Sequence, residues 1–340
     1  MKFNSRRTTA LVALTLAAST ALTACGGGDG DGGSGDSAET ITFLPKNLGN
    51  PYFDASSTGG ENAVDAFGGT FEEVGPTNAT PDAQVPFINT AAQQGVGALV
   101  ISANDPTALG DALEEARDAG VKVVTFDSDV DAEYRDLFVN QATPEGIAEA
   151  QVDLVAEQIG GEGEVAILSA AANATNQNAW IDLMEEYAAS EYPDIDIVET
   201  VYGDDDDQTS FDKTAALLQS HPDLKGIISP TTVGIAAAAR YLSTSQYKGQ
   251  VALTGLGTPN QMREYLEDGT VTAFALWNPE ELGYLAAYAA HALIEGDITG
   301  EEGDTFEAGD LGEYTVGANG EVVLGEPTVF TVDNVGDFDF

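Results

Sequence analysis

Polar and aromatic side chains recur in this chain directly after short, strand-like apolar segments. They include carboxylates, side-chain amides, hydroxyls, a lysine and flat aromatic rings. Carboxylates accept hydrogen bonds from neighbouring hydroxyls, amides donate and accept, and a lysine donates a charge-assisted bond. Convergent polar groups beside apolar walls are typical of ligand sites, and this set suits a small polyhydroxylated molecule. The predicted ligand-binding residues are Lys46, Asn50, Tyr52, Phe53, Asp127, Asp129, Asn176, Gln177, Pro230, Thr232, Trp277 and Asn278.

Asp127 and Asp129 are the strongest catalytic candidates, as the paired carboxylates of a secreted carbohydrate-cleaving enzyme. Residues two apart on a strand share a face, but these two follow the strand end, so the pattern does not fix their geometry. The sequence has no G-x-S-x-G elbow and no P-loop, and Gly255-Leu-Gly257 lacks the third glycine of a dinucleotide-binding fingerprint. We therefore predict binding without catalysis, and no cofactor.

Metal-ligand spacing is also missing from the sequence. His221 and His291 lie far apart, and the single cysteine is Cys25. The run Asp204–Asp207 lacks the glycine and the glutamate that an EF-hand loop requires. We predict that this run is a solvated loop that caps a helix at Thr209, and we predict no metal site.

Strand-like and helical segments alternate from Thr40 onward, which predicts an α/β fold of parallel sheets covered by helices. About ten strands precede the tail, too many for one small sheet, so two lobes are predicted, the first ending near Asn140-Gln141. Ligands bind beyond the carboxyl ends of the strands in such sheets, which is where the polar groups fall. The predicted strands are 41–45, 70–74, 97–102, 121–126, 165–169, 195–202, 226–229, 250–254 and 271–276. The predicted helices are 52–67, 83–94, one between Asp105 and Gly120, 144–159, 180–189, 209–220, 233–242, 260–267 and 280–294. A Gly- and acid-rich tail follows from residue 296, with short strands predicted at 313–316, 321–324 and 328–332.

The charge balance excludes one class of partner. There are 57 acidic residues against 12 basic ones, a net charge of −45. Such a surface repels phosphate backbones and anionic lipid heads, so no nucleic-acid partner is expected.

The first residues have the pattern of an export signal. Lys2, Arg6 and Arg7 precede an apolar run from Thr9 to Leu22, which is somewhat short for a membrane-spanning helix. The four residues that end at Cys25 resemble the lipobox of bacterial lipoproteins, in which the cysteine carries the lipid. This resemblance predicts a signal peptide over residues 1–24 and lipidation of Cys25; an uncleaved anchor or a chance cysteine are the alternatives. Residues 25–38 are rich in glycine and predict a flexible tether.

The chain from Thr40 to Phe340 resembles the type I periplasmic sugar-binding proteins, in the branch of rhamnose-binding and autoinducer-2-binding proteins. The resemblance rests on Phe43-Leu-Pro-Lys46, Asn50-Pro51-Tyr52-Phe53, Thr125-Phe-Asp127-Ser-Asp129, Asn140-Gln141-Ala142-Thr143-Pro144, Asn176-Gln177-Asn178-Ala179-Trp180, Ile228-Ser-Pro230, Gly257-Thr-Pro-Asn260-Gln-Met262 and Leu276-Trp277. Their order and spacing over the whole segment make the likeness specific.

This resemblance implies two Rossmann-like lobes joined by three crossovers, near 140–143, near 276–279 and in the tail. It places residues 39–141 and about 277–305 in the first lobe, and 142–276 and about 306–340 in the second. It further implies a monomeric binding protein that delivers a sugar to an ABC permease, with a separate ATPase driving uptake. The location expected from the resemblance and the lipid anchor is the outer face of the cytoplasmic membrane.

The same resemblance implies a ligand. Autoinducer-2 receptors hold their ligand at the positions of Lys46, Asp127, Asn176, Gln177, Pro230 and Thr232. Two positions depart from their pattern, since those receptors carry an aspartate where this chain has Asn176 and an alanine where it has Thr232. The departures favour a deoxyhexose, most simply rhamnose, and leave an autoinducer-2 receptor, or a sensor subunit that presents bound sugar to a signalling partner, as alternatives.

Overall fold

The computed structural model describes residues 40–340, so the predicted signal peptide, Cys25 and the tether lie outside the described residues. Within this part of the chain no helix is long and apolar enough to cross a bilayer. The helices are α1 (Pro51–Phe67), α2 (Pro81–Gln94), α3 (Gly110–Asp118), α4 (Pro144–Ile159), α5 (Thr175–Glu191), α6 (Asp207–Ser220), α7 (Thr232–Thr244), α8 (Pro259–Glu267) and α9 (Pro279–Glu295).

The strands alternate with these helices as the pattern predicts. They are β1 (Thr40–Leu44), β2 (Thr70–Glu73), β3 (Ala98–Ile101), β4 (Lys122–Phe126), β5 (Leu137–Asn140), β6 (Gly163–Ser169), β7 (Ile195–Tyr202), β8 (Gly226–Ser229), β9 (Ala252–Gly255), β10 (Phe274–Leu276), β11 (Thr305–Glu307), β12 (Glu313–Thr315), β13 (Glu321–Val323) and β14 (Thr328–Phe330). One helix begins later than predicted. Asp105 caps a turn by accepting from the backbone N–H groups of Thr107 and Ala108, and α3 starts only at Gly110.

Two parallel sheets form the framework and confirm the predicted fold class. The first has the order β13-β5-β4-β3-β1-β2 and the second the order β7-β6-β8-β9. The central strand β3 reads Ala-Leu-Val-Ile and every residue in it is buried. A strand that is apolar on both faces needs cover on both faces, which explains why helices flank the sheets.

The chain passes between the two sheets three times. It leaves β5 of the first sheet for α4, which packs against β8 and β9 of the second. It returns after β10, whose Ala275 bridges to Leu256 beyond β9, into α9, which packs on β3 and β4. The third passage lies between β13, which pairs with β5, and β14, which pairs with β10.

The tail differs from the prediction that residues 306–340 belong to the second lobe. Strand β11 contacts α9, and β13 forms an edge of the first sheet, so residues 306–323 lie with the first sheet. Only β14 and the residues after it join the second. The short, Gly-rich strands carry no signal for the sheet that they enter, because parallel pairing partners are distant in sequence.

Two glycines bring α1 and α9 unusually close together. A Cβ atom on Gly59 would overlap the carbonyl of Glu280, and one on Gly283 would overlap the carbonyl of Ser56. Both helices therefore need glycine at the crossing. This contact fixes the start of α1, which carries Tyr52, against the start of α9, which follows Trp277.

Candidate functional site

The carboxyl ends of the strands in both sheets open onto one cavity. The space between the lining side chains, including its open mouth, is about 380 Å³. The lining residues are Lys46, Asn50, Tyr52, Phe53, Asp127, Asn176, Gln177, Trp180, Asp205, Pro230, Thr231, Thr232, Leu256, Leu276 and Trp277.

Asp127 is the centre of the wall that the first sheet contributes. It directly follows β4 and has a left-handed backbone, with φ at 61°. Its Oδ1 accepts from the hydroxyl of Tyr52 over 3.1 Å, and its Oδ2 accepts from the hydroxyl of Ser102 over 2.7 Å. The ammonium of Lys46 lies 3.6 Å from Oδ2, and both charged side chains are only 7% exposed. An aspartate tolerates left-handed backbone at some cost in strain, and such strain often accompanies functional positions.

Tyr52 links this carboxylate to an aromatic wall. Its hydroxyl accepts a hydrogen bond from Nε1 of Trp277 over 2.8 Å while it donates to Asp127. Burial, followed by the Asp127 charge, raises the pKa of Tyr52 well above its ordinary value, so the hydroxyl stays protonated and keeps donating. The ring of Trp277 lies edge-on to Tyr52 and to Trp180, with centroids 6.1 and 6.0 Å apart.

Asn176 connects the two walls. It lies on the first turn of α5, and its Oδ1 accepts from the backbone N–H of Gln177 and, over 3.3 Å, from Nζ of Lys46. Its Nδ2 donates to the backbone carbonyl of Asp127 over 3.2 Å. At the rim, Asn173 donates to the carbonyl of Asn104 over 3.2 Å. The structure is therefore a closed arrangement in which polar groups of both lobes meet across the cavity.

Gln177 presents a donor to the cavity because its acceptor is occupied. Oε1 accepts from the hydroxyl of Ser169 over 2.7 Å and from the backbone N–H of Ala170 over 2.8 Å. Only the oxygen of the amide can face a backbone N–H, so the two bonds fix which way the amide points. Its Nε2 has no hydrogen-bond partner among residues 40–340 and is free to donate to a ligand.

Asp205 and Thr231 form a pair in the second-lobe wall. The Thr231 hydroxyl donates to Oδ1 of Asp205 over 2.6 Å, and Asp205 has left-handed backbone with φ at 50°. Burial raises the pKa of Asp205, the Asp127 charge adds to the rise, and the Thr231 bond and the Lys46 charge act against it.

Ten of the twelve predicted residues line this cavity, and Asp129 and Asn278 do not. Asp129 accepts two hydrogen bonds from the guanidinium of Arg135, at 2.6 and 2.7 Å, so the structure places it outside the cavity that the other predicted residues line. The left-handed residue at 127 turns the chain and separates the two carboxylates. Asn278 caps α9 by accepting from the backbone N–H groups of Glu280 and Glu281. Asn50 lines the cavity and also caps α1 through the N–H of Tyr52.

Sequence reasoning missed Asp205 as a cavity residue. The run that contains it was predicted to be a solvated loop that caps a helix, and the cap is real, since Asp206 accepts from the N–H of Thr209 over 2.7 Å. The neighbouring Asp205 turns inward instead. Its position three residues after the end of β7 is the signal that could have identified it, because other polar cavity residues, such as Lys46 and Asp127, also follow strand ends.

The sequence comparisons agree with this architecture. The model of the periplasmic binding protein domain family matches residues 41–298. The protein belongs to this family. A solved structure of a sugar ABC transporter from Actinomyces odontolyticus is 56% identical, with 90% of this chain and 99% of that chain covered and a TM-score of 0.74.

Three further relatives share less of the sequence. A solute-binding protein from Clostridium phytofermentas, solved with bound L-rhamnose, is 40% identical over 88% of this chain and 97% of that chain, with a TM-score of 0.85. LsrB from Clostridium saccharobutylicum, solved in complex with AI-2, is 30% identical over 88% of this chain and all of that chain, with a TM-score of 0.84. The ribose import binding protein of Bacillus subtilis is 25% identical over 77% of this chain and 84% of its own length.

These relatives place the protein among the periplasmic binding proteins of sugar ABC importers, which bind their ligand outside the cytoplasm and work with a membrane permease. The homologues are binding proteins and not enzymes, in agreement with the prediction of binding without catalysis.

Proposed function

We propose that the protein captures L-rhamnose, or a closely related deoxyhexose, between its two lobes for an ABC importer. The cavity supplies what such a ligand needs: acceptors and donors for several hydroxyls, and aromatic faces for the ring and its methyl group. Closure over the sugar buries it, and the higher affinity of the closed form for ligand shifts the population of the two forms.

The amide of Asn176 is the observation that carries the choice of ligand. Its Nδ2 donates to the carbonyl of Asp127, which an aspartate could not do. The aspartate of the autoinducer-2 receptors would face that carbonyl with an oxygen and would add a charge. Thr232, which lines the cavity with a hydroxyl and a methyl group, likewise departs from the alanine of those receptors. The greater identity to the rhamnose-bound protein than to the AI-2-bound one supports the same choice.

The two lobes are proposed to hinge at the three passages between the sheets, and the protein is proposed to act as a monomer. The proposed membrane attachment is a lipid on Cys25, with residues 25–38 as tether. Replacement of Cys25 by serine should move the protein from the membrane fraction to the soluble fraction and abolish labelling by a radioactive fatty acid. Retention in the membrane with full labelling would contradict the lipid-anchor proposal.

Calorimetric titration tests the ligand. The protein is purified through denaturation and refolding to remove carried-over sugar, then titrated with L-rhamnose, D-ribose and autoinducer-2. We expect one-to-one binding of L-rhamnose with the highest affinity. Both tryptophans of the chain line the cavity, so binding should also change the intrinsic fluorescence. Tighter binding of autoinducer-2 would overturn the choice of ligand and leave the family assignment intact.

A further inference from the structure

The loop after β7 brings a second carboxylate into the cavity, opposite the one on the first lobe. Asp127 comes from the first sheet, and Asp205 comes from the second. Both have left-handed backbone, at φ values of 61° and 50°. Two of the four non-glycine residues with positive φ in residues 40–340 are therefore cavity carboxylates, which is unusual for strained positions without a role in the site.

The position of Asp205 is held from both sides. The backbone N–H groups of Gly203 and Asp204 donate to the carbonyls of Ser169 and Ala170 at the end of β6, over 2.8 and 2.9 Å. On the other side, Asp206 begins α6 as its cap. The consecutive left-handed residues Asp204 and Asp205 then direct one side chain to solvent and the next into the cavity.

Only one of the two Asp205 carboxylate oxygens has a hydrogen-bond partner within the described chain. Oδ1 accepts from Thr231, whereas Oδ2 has no hydrogen-bond or ion-pair partner among residues 40–340. Asp205 is partly buried and lines the cavity, so this second oxygen is available to accept a hydrogen bond from a ligand.

We propose that Asp205 is a ligand-binding and specificity-determining residue whose Oδ2 accepts a hydrogen bond from a hydroxyl of a neutral, polyhydroxylated ligand. This inference rests on the proposed function and adds a residue to it. With Asp127 and Asp205 set against one ammonium, that of Lys46, the cavity carries excess negative charge. A neutral sugar fits that balance better than a uronate or a sugar phosphate.

The test compares Asp205→Asn with Asp204→Asn in the full chain. The amide introduced by Asp205→Asn can still accept from Thr231, but it places a donor where the ligand needs an acceptor. We expect the affinity for L-rhamnose to fall at least about tenfold, since hydrogen bonds to charged groups are worth more than neutral ones. Asp204 is the matched control, because it is exposed, has the same left-handed backbone and loses the same charge. Its variant should bind within about twofold of wild type.

The outcomes separate this inference from the choice of ligand. Wild-type binding of L-rhamnose with an unchanged affinity in Asp205→Asn would overturn the inference alone. If wild type prefers another neutral sugar of the panel, the choice of rhamnose fails, and the same two variants are titrated with that sugar.

Unfolding of the ligand-free proteins gives a readout that needs no sugar. Asp205→Asn should keep or raise Tm, because it retains the Thr231 bond and removes a carboxylate that burial disfavours. A fall in Tm as large as that of Thr231→Val would show that Asp205 serves folding instead of binding, and would overturn the inference.

Discussion

The two walls of the cavity are built in different ways. In the first-lobe wall, the polar groups bond mainly to each other: the Asp127 carboxylate is surrounded by Tyr52, Ser102 and Lys46. In the second-lobe wall, Gln177 and Asp205 are each anchored through one atom and keep the other without a partner in residues 40–340. The first arrangement holds geometry fixed, and the second leaves hydrogen-bonding capacity to be filled by a ligand.

This difference predicts different roles for the two walls in stability and in ligand binding. A network whose members satisfy one another rigidifies a site and is damaged by any deletion within it. Polar groups that lack one hydrogen-bond partner cost stability until a ligand supplies that partner. Ligand binding therefore stabilises the closed form, in which these groups meet the ligand. Substitutions in the first wall should therefore disturb both stability and binding, and substitutions in the second wall should act mainly on binding and selectivity.

The largest effect is expected from Asp127→Asn. The amide has one acceptor oxygen where the carboxylate has two, so it cannot serve both Tyr52 and Ser102 as before. It also carries no charge to pair with Lys46, so three buried partners are disturbed at once. We expect sugar affinity to fall about 100-fold or more, equivalent to about 3 kcal/mol, measured by calorimetry.

Asp129→Asn is the contrasting control for that variant. Its carboxylate binds Arg135, which is 7% exposed, and it does not line the cavity. We expect a lower Tm with affinity within about twofold of wild type. Equal losses of affinity in the two variants would contradict the assignment of ligand contact to Asp127 alone.

Asn176→Asp tests the group that joins the walls. The new carboxylate oxygen would face the carbonyl of Asp127 in place of a donor, and the closed arrangement would lose one bond and gain a repulsion. Affinity for L-rhamnose should fall about tenfold, and the preference should shift toward autoinducer-2. Asn178→Asp, one residue beyond Gln177 and outside the cavity lining, should change neither affinity by more than about twofold. Unchanged selectivity in Asn176→Asp would remove the main support for the choice of sugar.

A smaller effect is expected from Tyr52→Phe. This variant keeps the ring against Trp277 but removes the hydroxyl that joins Trp277 to Asp127. We expect a loss of affinity of about fivefold and a modest fall in Tm, because one buried donor and one buried acceptor lose their partner. Tyr247→Phe, whose hydroxyl donates to the Leu218 carbonyl away from the cavity, should leave affinity unchanged. A Tyr52→Phe protein with wild-type affinity would show that the first wall does not need its full network.

The smallest effect concerns pH and the second wall. Burial raises the pKa of Asp205 above its ordinary value of 3.8 in the folded protein. Such a group favours folding while protonated and opposes it once ionised, so its contribution is lost as pH rises from the ordinary value through the raised one. The Tm of Asp205→Asn minus that of wild type should therefore grow with pH over this window and level off above it. A difference that stays constant from about pH 3 to about pH 7 would contradict the raised pKa.

The residues of the first-lobe wall could be placed from the sequence more accurately than those of the second-lobe wall. Lys46 and Asp127 follow strands with clear apolar patterns, so their place at the sheet edge could be predicted from strand ends alone. Asn176 and Gln177 were identified, but the helix that carries them was predicted to begin at Trp180 and begins at Thr175. The first turn of a helix contains few apolar residues, so its start is poorly marked by periodicity.

The strand pattern brought Asp129 and Asp205 near the sheet edges but did not show which carboxylate enters the cavity, for a common reason. Each stands close to another aspartate, and backbone turns at left-handed residues decide which carboxylate enters the cavity. Left-handed conformations of aspartate leave no mark in the sequence, since the same residue also favours ordinary loops. The fold class, in contrast, depends on repeated strand and helix periods, which are spread over the whole chain and survive local errors.

The pairing of the tail has a consequence for how the molecule can be made. β13 completes one sheet, β14 pairs beside the other, and the carbonyl of Phe340 accepts from the backbone N–H of Asn260. During synthesis, the first sheet lacks its edge strand until residue 323 has been added, and β10 lacks its partner until residue 330 has been added. Completion of both lobes therefore waits for the tail, which suits a binding protein of a family that works outside the cytoplasm.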